Sequence, residues 1–319
     1  MDKNSVIGFI LIAVILFGFT FYQNRQSRKY AEFQARQDSI AFVQKQIADS
    51  IAAAEVPAQP AVPVEGTYQE PAASGTIYKD STLNVLHGGE GTVVTIENDK
   101  IVLELTSKGA QPYSVKVKNY YNHDSTDLYL FKQGCSEYSF SIYTGEYIQT
   151  KDFNFLVAEK TDTSVVFRLP FTGGGCVEQR YVLRPGEYMV DNVLSFKGLE
   201  NVIPRNVYAV DIDWHVTVPR MEKRYRNETQ YSKLDFYQPG DKKPVEIGRG
   251  KSASKNVASS VEWFAFQQQF FSAILRSKNG FQSGKFTISF VNQDDPSHDA
   301  IQQRSILRLK LQDKQDGRE

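Results

Sequence analysis

The sequence predicts a mainly β protein: one N-terminal transmembrane helix, a helical stalk, and a large antiparallel β-sandwich. Three observations lead to this prediction. An uncharged apolar run opens the chain, a stretch rich in proline and alanine follows a polar helical pattern, and short alternating segments fill the remainder. Phe, Tyr and Trp make up 13% of the residues, and such side chains suit a pleated, half-buried surface.

The composition narrows the classes of function. Lys and Arg number 37 and Asp and Glu also number 37, so the net charge is zero and no long-range field attracts nucleic acid. Two cysteines and four scattered histidines are too few for a Cys-rich or His-rich metal site. We therefore expect no nucleic-acid partner, no metal and no cofactor.

The first element is a membrane anchor, preceded by a short tail at residues 1–4. Residues 4–24 carry no formal charge and lie between Lys3 and Arg25. A helix of that length spans about 31 Å, close to the hydrocarbon thickness of a bilayer. A cleaved signal peptide is the alternative, but the polar residues 23–26 provide no small-x-small cleavage site. The sequence predicts an uncleaved helix at 5–24 and a single membrane crossing.

The residues alone do not decide on which side of the membrane the rest of the chain lies. Four cationic residues follow the span, and only Lys3 and the amino terminus precede it. The positive-inside rule places residues after 24 in the cytoplasm, although the rule weakens when a long domain follows.

A stalk and a linker connect the anchor to the sandwich. Residues 25–54 lack Gly and Pro and carry a narrow apolar stripe, which predicts a solvated helical stalk. A coiled-coil dimer is the alternative, but Gln37 and Gln44 interrupt its seam. Residues 55–90 contain four prolines and predict a semi-extended linker.

The sandwich is predicted over residues 91–303, followed by a polar tail at 304–319. Period-two alternation and turn residues mark its strands. A hairpin turn is predicted at residues 184–187, where Pro and Gly are adjacent. The predicted strands cover residues 94–96, 101–105, 115–120, 138–143, 164–169, 179–183, 188–196, 207–218 and 286–291.

Residues 211–215 are the strongest catalytic candidate. On a strand, Asp211, Asp213 and His215 would share one face, opposite an apolar face. Two carboxylates and a histidine could perform acid–base chemistry if desolvated. A polar solvent-facing row predicts the same alternation, and we favour that interpretation.

The two cysteines and a basic segment leave further alternatives open. Cys135 and Cys176 could form a disulfide in an extracytoplasmic domain, or they could be two small buried side chains. Four cationic residues within 220–226 predict a solvated loop or a contact with lipid phosphates or an acidic partner.

The densest aromatic stretch covers residues 261–275. A helical turn from Trp263 leading into a strand from Phe270 would bury its rings. This stretch is either a core element or an exposed surface that docks a partner. Its candidate residues are Trp263, Ala265, Gln268, Gln269, Phe270 and Phe271.

Four motifs occur in the order found in one known family. The motifs are Met1 to Asn4 before the apolar span, Ser107 to Gln111 before a strand ending at Tyr120, Tyr181 to Tyr188, and Trp263 to Ala265 with Gln268 to Phe271. In these motifs and their order the sequence resembles the YidC family of bacterial inner-membrane protein insertases.

The resemblance implies a β-supersandwich similar to that of sugar mutarotases, located in the periplasm, without enzymatic activity. That periplasmic location disagrees with the cytoplasmic location that the Lys and Arg count predicts. It also implies a protein that inserts and helps fold integral membrane proteins, alone or with the Sec translocon. The implied partners are the translocon and its accessory subunits, nascent membrane proteins and the lipid bilayer.

The resemblance extends from residue 1 to about residue 295. Nothing in the sequence matches the family's five-helix membrane core with its arginine-bearing groove. We therefore expect the front part of an insertase, with a tail from residue 304 that is foreign to the family. A membrane-anchored sugar-binding or mutarotase-like sandwich, and a scaffold that dimerises through residues 25–54, are the alternatives.

Overall fold

The computed structural model of the protein describes residues 77–290 and 301–310. The predicted anchor at 5–24, the stalk at 25–54 and most of the linker lie outside these residues. Within the described part of the chain, no helix is both long enough and apolar enough to cross a bilayer.

The described residues form a mainly β protein with antiparallel pairing throughout, which confirms the predicted fold class. Two short α-helices, α1 (Ser81–Leu86) and α2 (Tyr225–Tyr231), and a 3-10 turn at Thr150–Asp152 accompany the strands. The strands are β1 (Val93–Glu97), β2 (Ile101–Thr106), β3 (Gln111–Tyr121), β4 (Asp127–Phe131), β5 (Ser136–Tyr143), β6 (Tyr147–Gln149), β7 (Leu156–Lys160), β8 (Ser164–Pro170), β9 (Cys176–Leu183), β10 (Val190–Lys197), β11 (Ala209–Val218), β12 (Lys233–Tyr237), β13 (Val245–Ile247), β14 (Ala253–Val257), β15 (Val261–Gln267), β16 (Ser272–Phe281), β17 (Ser283–Phe290) and β18 (Ile301–Lys310).

These strands are arranged in sheets around a common core. One sheet has the order β14-β17-β18-β11-β5-β6, and the four-stranded sheets have the orders β1-β2-β3-β4, β10-β9-β8-β7 and β13-β12-β15-β16. The indole of Trp214, in β11, contacts rings from two neighbouring sheets, with centroids 6.4 Å from Phe131 and 5.0 Å from Phe266. The apolar face of the six-stranded sheet is therefore buried against its neighbours.

The last described strand corrects the predicted end of the sandwich. β18 lies between β11 and β17, and it pairs with β11 from Ala209 opposite Lys310 to Val218 opposite Ile301. Ser305 and Leu307 are buried. The predicted boundary at residue 303 was wrong, because residues that indicated a polar tail belong to a central strand, in which Ser305 is buried and Arg308 pairs with Asp211.

The first described residues correct the predicted linker. Tyr78 and Leu83 are buried in the core, and the Asp80 carboxylate caps α1 by accepting hydrogen bonds from Thr82 N and Leu83 N. The predicted linker therefore extends too far, because residues 78–86 already belong to the folded domain.

Both cysteines are free thiols in the structure. Cys135 precedes β5 in the six-stranded sheet, whereas Cys176 begins β9 in a different sheet. Both are half-buried, and Cys135 packs against the hydrophobic core. This placement agrees with the interpretation of two small, partly buried side chains rather than with a disulfide.

A buried carboxylate connects three strands of one sheet. Glu178, in β9, accepts hydrogen bonds from Arg168 Nε of β8 at 2.8 Å and from Lys197 Nζ of β10 at 2.7 Å. Burial alone would raise the pKa of Glu178, but the hydrogen bonds from Lys197 and Arg168 outweigh it and hold that pKa below its usual 4.5.

Replacing Glu178 with Gln is expected to lower the free energy of unfolding by about 1–2 kcal/mol at neutral pH, because two charge-assisted hydrogen bonds weaken. Since the folded-state pKa is lowered, this contribution is complete above pH 4.5 and disappears as the pH falls through the folded-state value. Urea unfolding of both proteins at neutral pH and near pH 3 measures it. An undiminished difference near pH 3, or an equal loss in the exposed control Glu200→Gln, would contradict this account.

Candidate partner-contact surface

The aromatic stretch forms a β-hairpin. Residues 261–267 are strand β15, which pairs with β16 from Gln267 opposite Ser272 to Trp263 opposite Arg276. The predicted helical turn at Trp263 was wrong, as was a strand start at Phe270, because Phe270 lies in the turn between the strands.

Two of the six candidate residues stabilise the sheet itself. Trp263 is half-buried and stacks on Tyr237 of β12, with ring centroids 6.0 Å apart and planes 13° apart. Ala265 is buried opposite Asp235. Their positions fit the core interpretation of the motif.

Gln268 joins the hairpin turn to the segment that follows β11. Its Nε2 donates to Pro219 O at 3.0 Å and to Glu228 Oε1 at 3.2 Å. Glu228 Oε2 in turn accepts backbone N–H groups from Met221 at 3.1 Å and Glu222 at 2.8 Å. We call Gln268 and Glu228 the polar clamp, since together they hold residues 219–222 against the hairpin.

Glu228 is a carboxyl group in an enclosed site. It lies in α2 and is 1% exposed. Burial raises the pKa of Glu228, and the nearby charge of Glu222 adds to the rise, while the hydrogen bonds from residues 221, 222 and 268 oppose it. The site thus holds a group that is costly to bury and is hydrogen-bonded on both oxygens.

The other end of the turn is aromatic and partly exposed. Phe271 packs against a small apolar cluster formed by Val117, Leu128 and Met221, and its ring lies 5.4 Å from that of Tyr120 in an edge-on arrangement. Four side chains define this surface, which we call the aromatic end: Tyr120, 47% exposed, Tyr121, 65% exposed, Phe270, 69% exposed, and half-buried Phe271.

Cationic side chains border the aromatic end. Lys223, Arg224 and Arg226 are exposed, and none of them forms an ion pair within residues 77–290 and 301–310. The contact between His123 N and Met221 O, at 3.2 Å, keeps this basic segment beside the β3–β4 turn. The surface therefore combines exposed rings with positive charge.

The catalytic candidate at residues 211–215 has the predicted alternation. Ile212, Trp214 and Val216 are buried in the core, and Asp211 lies on the opposite face, but Asp213 departs from the expected solvent-facing row because it is only 8% exposed. The Asp211 carboxylate accepts a hydrogen bond from Arg308 Nε at 2.9 Å. Because its carboxylate pairs with a cation, Asp211 fits the polar-row interpretation.

Sequence reasoning missed two parts of the surface. Tyr120 and Tyr121 are adjacent at a strand end, and this pair of tyrosines was the signal available in the sequence. Glu228 follows the segment predicted to be a solvated loop, and a single charged residue gives no sign in the sequence that its partners will bury it.

The fold and this surface define a class of protein: an antiparallel β-sandwich domain with an aromatic, basic end. Among the residues that the structure describes, no group of His, Cys, Asp and Glu could hold a metal ion.

The family follows from comparison with known proteins. Residues 93–311 match the family model described as YidC periplasmic domain, and the chain belongs to this family. The match includes all of β18, so residues 304–311 are family sequence and the expectation of a foreign tail was wrong for them.

Curated relatives carry the name membrane protein insertase YidC. The one from Phocaeicola vulgatus is 30% identical over 290 residues, covering 90% of this chain and 44% of that protein. The one from Porphyromonas gingivalis is 30% identical over 293 residues, covering 89% of this chain and 45% of that protein. The chain thus spans less than half the length of these relatives.

Solved structures show only a weak likeness. A galactose mutarotase-like protein from Lactobacillus casei has 12% sequence identity and a TM-score of 0.37, covering 67% of this chain and 87% of that one. A galactose mutarotase related enzyme from Lactobacillus acidophilus has 11% identity and a TM-score of 0.36, covering 71% and 88%.

Proposed function

We propose that this chain is the anchored periplasmic part of a YidC-type insertase, which inserts and helps fold integral membrane proteins in the bacterial inner membrane. The family match over residues 93–311 carries the proposal. The curated insertases that share 30% identity across about nine-tenths of the chain support it. The predicted span at 5–24 would be the anchor.

Within this proposal, the sandwich domain makes contacts and performs no catalysis. The aromatic end is its contact surface for the Sec translocon and its accessory subunits. Phe270 supports this assignment, because an aromatic side chain that is 69% exposed at a hairpin turn is available to a partner. Gln268 supports it indirectly, because the polar clamp fixes the turn.

A depletion experiment tests the insertase function. Removing the protein from its source cells is expected to leave newly made single-span membrane proteins uninserted, so that a protease added to the periplasmic side no longer reaches their exported segments. Cells in which the intact gene is restored are the control. Unchanged insertion after depletion would contradict the proposal.

Site-specific cross-linking tests the contact surface. A photo-reactive phenylalanine analogue at Phe270 of the full chain is expected to give adducts that contain Sec subunits, detected with antibodies. The same analogue at Tyr147, which is 72% exposed in β6, is the matched control. Sec adducts at Tyr147 with none at Phe270 would contradict the assignment of the aromatic end as the contact surface.

A further inference from the structure

The charge around the aromatic end is predominantly positive. Residues 219–231 contain Arg220, Lys223, Arg224 and Arg226 against two glutamates, and one of these, Glu228, is buried in the polar clamp. In the neighbouring turn, the Asp124 carboxylate accepts hydrogen bonds from Thr126 Oγ1 at 2.6 Å and Thr126 N at 3.1 Å. Asp124 is exposed and keeps its negative charge, but the three cations at 223, 224 and 226 also face solvent and outnumber it.

The aromatic end also lies far from the place where the described chain begins. Lys79 N donates to Glu146 Oε1 at 2.8 Å, beside the turn that joins β5 and β6. The paired residues Ala209 and Lys310 lie at the same end of the six-stranded sheet as that turn. The polar clamp holds the other end of β11, ten residues further along, which is a distance of about 30 Å in a strand.

The composition of the aromatic end, exposed rings beside exposed cations, favours an acidic protein partner. Exposed rings surrounded by cations suit a partner segment with apolar side chains and an excess of Asp and Glu, because complementary charge aids encounter while buried rings supply affinity.

We propose that the aromatic end binds an acidic segment of a partner protein, with Phe270 and Tyr121 as apolar anchors and Lys223, Arg224 and Arg226 as the charge complement. The inference rests on the proposed function, since it gives the partner chemistry of the same surface. It adds the three cations and Tyr121 to the residues of the motif.

Binding of defined probes to the full chain in nanodiscs tests this proposal. The probe is a fluorescent 16-residue peptide of Glu, Asp, Leu and Phe, and the comparison peptide has Lys at every acidic position. We expect the acidic peptide to bind at least about tenfold more tightly than the basic one, with affinity that falls as salt is raised.

Charge reversal then locates the site. The triple variant Lys223→Glu, Arg224→Glu and Arg226→Glu should lose at least about tenfold in affinity, and Phe270→Ala should lose several-fold without changing the salt dependence. The matched control reverses three exposed lysines of the β12–β16 region away from the clamp, namely Lys242, Lys243 and Lys278. Equal losses in both triple variants, or equal binding of the two peptides, would overturn the proposal.

Binding to lipid vesicles tests the alternative that the aromatic end contacts a membrane surface. Binding to phosphatidylglycerol vesicles but not phosphatidylcholine vesicles, abolished by the 223–226 reversal, together with no peptide binding, would assign the surface to lipid and refute the protein partner. The proposed function can fail separately, because depletion could leave insertion unchanged while the acidic peptide still binds.

Discussion

A chain that ends after Gln303 is expected not to fold. Such a chain loses residues 304–310 of β18, the strand that separates β17 from β11 in the six-stranded sheet. It also loses the buried side chains of Ser305 and Leu307. Two open strand edges and an apolar gap would replace a central strand, and we expect a loss above about 5 kcal/mol, which exceeds the stability margin of many domains.

Circular dichroism and urea unfolding of the sandwich part measure this effect. The matched control is a chain that ends after residue 311, where the family match ends, and we expect it to unfold in one cooperative transition. A cooperative transition of similar midpoint for the chain ending at Gln303 would show that β18 is dispensable. Leu307→Ala, expected to lose about 2–4 kcal/mol, tests the same strand by a smaller change.

The polar clamp is expected to give the second-largest effect. Glu228→Ala leaves the N–H groups of Met221 and Glu222 and the Gln268 amide without their acceptor, and we expect a loss of about 3 kcal/mol. Gln268→Ala removes one side of the clamp and should cost about 1–2 kcal/mol. Because both changes break one network, the double variant should lose less than the sum of the single losses. Additive losses would show that the two residues act independently.

The clamp also has a defined dependence on pH. Since the pKa of Glu228 is raised in the folded state, folding favours the protonated carboxyl, and stability from this group falls as the pH rises from 4.5 through the folded-state pKa. The variant Glu228→Gln cannot ionise. Its stability relative to the natural protein should therefore increase between about pH 4.5 and pH 7, as measured by urea unfolding. A difference that does not change with pH would contradict a raised pKa.

Much of the fold could be predicted from local sequence patterns. Alternating apolar and polar residues predicted the bounds of β1, β2, β8, β9 and β11 to within a few residues. The Pro–Gly turn at 184–187 predicted the β9–β10 hairpin. These elements share a cause, since each has one face in the core and a turn that fits its residues. β12 and β18 escaped detection because charged residues interrupt their apolar runs.

The contact surface was harder to predict, because it is assembled from segments far apart in the sequence. Residues 120–121, 221–228 and 268–271 meet only after the sheets have packed. The motif around Gln268 pointed to one of these segments. Neither the aromatic partner Tyr120 nor the carboxyl partner Glu228 could be found by spacing, since both pairings depend on tertiary contacts.

The position of β18 has a consequence for synthesis of the protein. Ribosomes make the chain from its amino terminus, so the strand that joins the two halves of the six-stranded sheet is the last described strand to be made. Until Lys310 has been polymerised, β14 and β17 have no link through this sheet to β11, β5 and β6. Non-local pairing of this kind folds slowly and leaves strand edges open to other chains. The nascent domain therefore passes through a period in which its unpaired strand edges are open to pairing with other chains.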